Sequence, residues 1–187
     1  MSNKNSVFQE IIVGLSTRDE RIQERVYAQF WGYLMGISTR YFKDRNIARE
    51  VVNDSFMKAF RTMYDFRHDA GPEEFQKMFR SWLAKITVRT ALDKLRANKT
   101  ILNYVEEYEE QSITYVGVDQ ELHVQDILKL LYELPEIQRA VFNLYEIEGY
   151  SHDEIAVMLT IPASSSRTYL SRAKNKLREL YKNTLIN

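Results

Sequence analysis

The chain has 187 residues, 26 basic against 26 acidic, and is 44% hydrophobic, the composition of a globular chain able to fill one large or two small cores, not of a disordered one. It has no cysteine, which excludes disulfides and thiolate metal sites and favours a reducing compartment. The opening MSNKNSVFQEIIVGLSTRDE lacks the unbroken apolar run of a signal peptide, and no segment is long enough to cross a bilayer, so the expectation is a cytoplasmic protein with no membrane insertion.

Six glycines and three prolines, with apolar residues recurring at three- and four-residue steps, predict an all-α protein. The first helix is expected from about Glu24 to Phe42, with Val26, Phe30, Tyr33, Leu34, Ile37 and Tyr41 on one face. Lys43 to Asn46 breaks the pattern. A second helix from about Ile47 to Met63 buries Ile47, Val51, Val52, Phe56, Ala59, Phe60 and Met63 and leaves Glu50, Asn53, Asp54, Lys58 and Arg61 on its polar side. YDFRHDAGPEE, from Tyr64 to Glu74, has a Gly-Pro pair and no periodicity and is expected to be an exposed loop. A third helix, from about Phe75 to Asn98, turns Phe79, Leu83, Ile86 and Thr90 inward and sets Lys77, Lys85, Arg89 and Arg96 along another face.

Charge is strongly segregated along the chain. Lys77 to Lys99 holds seven basic residues against one acid, Ile101 to Glu121 holds six acids and no Lys or Arg, and Ser164 to Lys182 holds six basic residues against one acid. The acidic middle has weak periodicity and is expected to be a linker. A basic helix face can be nothing more than solvated surface. Here, however, Tyr64, Phe66, Phe75, Phe79 and Trp82 lie in or beside the loop and the first basic helix, a combination suited to stacking bases while cations hold phosphates. Phe79 and Trp82 are assigned to the core, which leaves Tyr64 and Phe66 for contact with a base.

Further on, Ser151-His152-Asp153-Glu154 fits a capping box that opens a helix. Ile155, Ala156 and Leu159 form its buried side, Ile161 lies in the break, and a second helix carries Leu170, Ala173, Leu177 and Leu180 on one face and Arg167, Ser171, Lys174 and Arg178 on the other. This spacing fits a helix-turn-helix, whose second helix enters the major groove, and also a plain helical hairpin. In the former, Arg167, Thr168, Tyr169, Ser171 and Arg172 are the candidate readers. His68, His123 and His152 are too scattered for a metal set. With no phosphate-cradling Gly-rich loop either, neither cofactor, metal nor catalytic residue is expected, and the chain is not read as an enzyme.

Three blocks in order resemble the bacterial RNA polymerase sigma factors of the extracytoplasmic-function group: AREVVNDSFMKAF, SWLAKITVRTALDKLR and LYELPEIQRAVFNLYEIEGYSHDEIAVMLTIP. The resemblance implies two small helical domains, 1–98 and 122–187, joined by an acidic linker, 99–121, with the helix-turn-helix in the C-terminal one. It implies that Glu50, Asn53, Asp54 and Phe56 dock on the clamp of core RNA polymerase. Tyr64, Phe66, Arg80, Lys85, Arg89 and Arg96 would bind and open the minus-ten element and capture a flipped base. The linker would thread the RNA exit path. Residues 122–187 would bind the flap and the minus-thirty-five element of promoter DNA, the latter through Ser165, Ser166, Arg167, Thr168, Tyr169, Ser171, Arg172 and Lys174. An anti-sigma factor is a further partner implied by family habit.

The chain departs from the pattern at Arg49, where an acid is usual, at Arg89, where Asn is usual, and at Ser164-Ser165-Ser166, where a Gly-Thr pair is common. Ser164 is thereby a candidate N-cap, worth roughly 1 kcal/mol. The expected function is promoter recognition, melting and transcription initiation with core polymerase. A stand-alone helix-turn-helix regulator and a protein-binding helical adaptor are the alternatives.

Overall fold

The computed structural model describes residues 2–66, 71–97 and 124–186. Helices account for nearly all of them, and there is no strand among the described residues. The contacts divide the chain into two units, 1–91 and 92–187, each described here by itself; the expected linker lies outside the described residues.

The first unit is built from α1 (Ser2–Ser16), α2 (Ile22–Ser38), α3 (Arg45–Thr62), a 3-10 turn (Met63–Asp65) and most of α4 (Pro72–Ala97). α1 precedes the first helix expected from the sequence, although Phe8, Ile11 and Leu15 recur at the helical step and are all buried. It approaches α2 so closely that a Cβ on Gly14 would lie 2.7 Å from Cγ1 of Ile22. α3 begins where the sequence pattern breaks, because Asp44 is its N-cap: the side chain accepts from the Asn46 N–H at 2.7 Å. Buried Ser38 donates to the Ala48 carbonyl at 3.0 Å and ties α2 to α3 without an unsatisfied hydroxyl. Val26, Phe30, Leu34, Val51, Val52, Phe56, Ala59, Phe75, Phe79 and Leu83 fill the core.

α4 starts earlier than its apolar pattern suggests. Pro72 occupies the first helical position, where a missing N–H costs nothing and φ is already helical. Glu73 and Glu74 in the first turn and Lys94 and Arg96 in the last suit the helix dipole. Part of the expected loop is thus helix, and a further part, Tyr64 and Asp65, lies in the 3-10 turn Met63–Asp65.

The second unit carries α5 (Val124–Tyr132), α6 (Glu136–Phe142), a π-helical segment (Asn143–Ile147), α7 (His152–Leu159) and α8 (Ala163–Ile186). Leu131 and Leu134 pack with Ala173 of α8, and Leu128, Phe142 and Leu177 close over them. Arg139 is buried with its guanidinium 5.7 Å from the Tyr132 ring centroid, and burial lowers its pKa. The π segment ends in a tight reversal. Glu148 N–H bonds the Asn143 carbonyl at 3.0 Å and Tyr150 N–H bonds that of Leu144 at 2.9 Å, while Gly149 between them takes φ +78°, a value a Cβ would strain.

Candidate nucleic-acid interface

α7 and α8 form the helix-turn-helix. The capping box is complete: the Ser151 N–H donates to Glu154 Oε2 at 2.8 Å, and the Glu154 N–H donates to Ser151 Oγ at 3.3 Å. The Ser151 N–H, and after it the Ser151 hydroxyl, which donates to Glu154 Oε2 at 2.8 Å, hold the Glu154 carboxyl below its ordinary pKa. α7 closes on Thr160 in the left-handed region, φ 56° and ψ 46°, with Ile161 N–H bonded to the Ala156 carbonyl at 3.1 Å. Pro162 then precedes α8, and its carbonyl accepts from the Ser166 N–H at 3.1 Å.

That start corrects the role expected of Ser164. The helix has already begun at Ala163, so Ser164 is a helical residue whose carbonyl accepts the Thr168 hydroxyl at 3.1 Å. Arg167, Thr168, Ser171 and Arg172 are exposed on α8, and Ser165 and Tyr169 are half-buried. Ser166 is corrected outright. It has no exposed surface, and its Oγ lies 2.9 Å from Nδ1 of His152 on α7, so it belongs to the seam between the two helices and cannot touch DNA. Lys174 is directed toward the π segment, with Nζ 2.6 Å from Glu146 Oε1 and 6.0 Å from the Tyr145 ring centroid.

In the first unit, Glu50, Asn53 and Asp54 are exposed along α3, but Phe56 is 1% exposed. Its ring packs 4.7 Å from Tyr27 and 5.6 Å from Phe60, which makes it core and not a docking contact. The exposed apolar surface beside the three polar residues comes instead from Tyr27, whose hydroxyl lies 3.2 Å from Asn53 Oδ1, and from Met57. Sequence inspection missed both. Met57 was legible, since it lies four residues from Asn53 on the same helix face; Tyr27 was not, because it comes from another helix.

Lys77, Arg80, Lys85, Arg89 and Arg96 are all exposed on α4. Arg80 rests its guanidinium 4.4 Å from the Tyr33 centroid, and Arg96 is paired with Asp93 one turn away. The two rings assigned to base contact are not free loop rings. Phe66 stands 5.2 Å from Phe79, 5.3 Å from Trp82 and 5.9 Å from Phe75 in one aromatic cluster. Tyr64 is half-buried, its hydroxyl 3.3 Å from Gln23 Nε2 and 3.4 Å from the Asp19 carbonyl. Burial draws both toward the core because each ring gains more from apolar contact than from solvent. His68 and His123 lie outside the described residues; among the described residues no three His, Asp or Glu side chains gather as a metal site. No helix among them is long and apolar enough to cross a membrane.

Residues 125–177, which include α7, the turn and α8 as far as Leu177, match the family described as Sigma-70, region 4. Over nearly the whole length the chain is 22% identical to the RNA polymerase sigma-H factor of Pseudomonas aeruginosa, covering 90% of this chain and 91% of that one. It is 26% identical to the ECF RNA polymerase sigma-E factor of Haemophilus influenzae, covering 90% and 92%. Over nearly its whole length the chain is thus similar to RNA polymerase sigma factors of the extracytoplasmic-function group. The fold agrees. The sigma factor RpoE of Bartonella quintana, solved in complex with the anti-sigma factor NepR, superposes with a TM-score of 0.51 at 21% identity, covering 85% of this chain and 96% of that one. α7, the turn and the first part of α8 fall in the stretch that matches region 4.

Proposed function

We propose that this chain is a sigma factor of the extracytoplasmic-function group, which binds core RNA polymerase and carries it to promoters, where it recognises two upstream elements and assists melting. The observation that carries the proposal is the α7–turn–α8 unit, which presents Arg167, Thr168, Ser171 and Arg172 together on the open side of its second helix, the disposition of a major-groove reader. Such a chain acts by binding and not by catalysis, and the absence of cysteine suits a cytoplasmic location. Glu50, Asn53 and Asp54, with Tyr27 and Met57 beside them, form the surface for polymerase. Lys77, Lys85 and Arg89 on α4 supply cations for the minus-ten DNA backbone. An anti-sigma factor is a fitting partner, as it is for the Bartonella protein.

The test is transcription of fragmented genomic DNA by core polymerase with and without the purified chain, followed by sequencing of the new transcript starts. New starts that share two upstream motifs at fixed spacing are the expected result. A chain that ignores core polymerase but binds one DNA sequence tightly alone would be a stand-alone regulator.

A further inference from the structure

The seam between α7 and α8 contains a polar contact that the function above does not use. Ser166 is fully buried one residue before Arg167, and its hydroxyl bonds Nδ1 of His152 at 2.9 Å. On its other side the imidazole stacks on Tyr145, with centroids 4.5 Å apart and planes at 22°. Tyr145 belongs to the π segment, and the neighbouring Glu146 holds Lys174 of α8 at 2.6 Å. One histidine at the first position of α7 is thus fixed between the π segment and the recognition helix. An apolar seam could slide or roll with little loss, whereas a hydrogen bond is directional and fails within a few tenths of an ångström or a few tens of degrees.

We propose that His152 is a positioning residue for promoter recognition: clamped between Tyr145 and Ser166, it fixes the rotation of α8 about its axis and so places Arg167, Thr168 and Ser171 at the base edges. The geometry gives this consequence a size. A side chain about 5–6 Å from the helix axis moves about 2 Å when the helix rolls by about 20°, enough to break a base-edge hydrogen bond. Backbone phosphate contacts, held by long flexible cations, tolerate such a shift. Loss of the bond should therefore reduce discrimination more than overall affinity. The inference rests on the sigma-factor reading above.

The experiment measures the affinity of the assembled polymerase, containing the full chain, for a promoter fragment with its upstream element intact and for the same fragment with that element scrambled. It is run where circular dichroism finds each variant folded. H152A and S166A should each lower the intact-to-scrambled affinity ratio about three- to ten-fold. The double variant should be no worse than either single one, as for two ends of one bond. H152N, which places an amide near the position of Nδ1, should restore most of the ratio. An unchanged ratio in H152A, losses that multiply in the double variant, or equal weakening on both fragments overturns the proposal. The bond is read separately by 15N NMR of the His152 ring in the free chain: S166A should shift the Nδ1 resonance, and no shift overturns the latch whatever the binding result. If the wild-type chain fails to join core polymerase while S166A does shift Nδ1, the sigma-factor reading has failed and the latch has not.

Discussion

Lys174 Nζ lies 2.6 Å from Glu146 Oε1, and this pair draws a cation of the recognition helix back onto its own domain. Both side chains remain about a third exposed, so the pair contributes at most about 1 kcal/mol to stability. Its larger effect is on DNA binding. E146Q should release Lys174 toward phosphate, strengthen binding to every sequence, and steepen the dependence of log affinity on log salt by about one unit or less. K174A should leave that slope nearly unchanged. A salt titration of promoter binding by the polymerase carrying each variant tests both expectations.

Arg167 and Arg172 are exposed arginines in the first half of the recognition helix. If Arg167 is bidentate to a guanine, R167A should cost about 1–3 kcal/mol at one promoter position and relax the preference there. A phosphate contact would instead weaken all sequences alike. A panel of single-base promoter variants, bound by wild-type, R167A and R172A holoenzymes, separates the two.

Phe56 and Asp54 lie on one helix and have different tasks. F56A removes a ring that is 1% exposed and packed between Tyr27 and Phe60, so it should destabilise the first unit by about 3–5 kcal/mol. D54A removes an exposed carboxylate and should leave stability within about 0.5 kcal/mol while weakening association with core polymerase. Denaturant unfolding beside a polymerase pull-down distinguishes fold from docking; equal instability in both variants would contradict the assignment.

The capping box makes part of the stability pH-dependent. The Ser151 bonds lower the Glu154 pKa in the folded state from its ordinary 4.5, so the folded state holds the carboxylate more readily than the unfolded chain does. The contribution is fully present above about pH 4.5 and is lost as pH falls through the lower folded-state value. E154Q keeps an acceptor for the Ser151 N–H but cannot titrate. Its unfolding free energy should fall less steeply than that of the wild type below about pH 4.5, which chemical unfolding across that window would reveal.

Much of this molecule was legible from local order in the sequence. The helical steps of Val51, Val52, Phe56 and Ala59, the Ser151-to-Glu154 cap and the bihelical run through Leu170 and Ala173 each depend on residues three or four apart, where backbone geometry alone decides who shares a face. The basic faces of α4 and α8 were legible for the same reason. Tertiary packing decided what separates in sequence but meets in space. Ser166 is expected among the DNA contacts because the Ser164–Ser166 run stands where the resemblance puts the start of the recognition helix, yet His152, fourteen residues earlier, claims it. Phe66 looked like a loop ring until Phe79 and Trp82 closed on it, and Lys174 looked free until the π segment brought Glu146 within reach. Periodicity states which face of a helix a residue occupies, but the partner that covers that face comes from another part of the chain, and only the folded contacts name it.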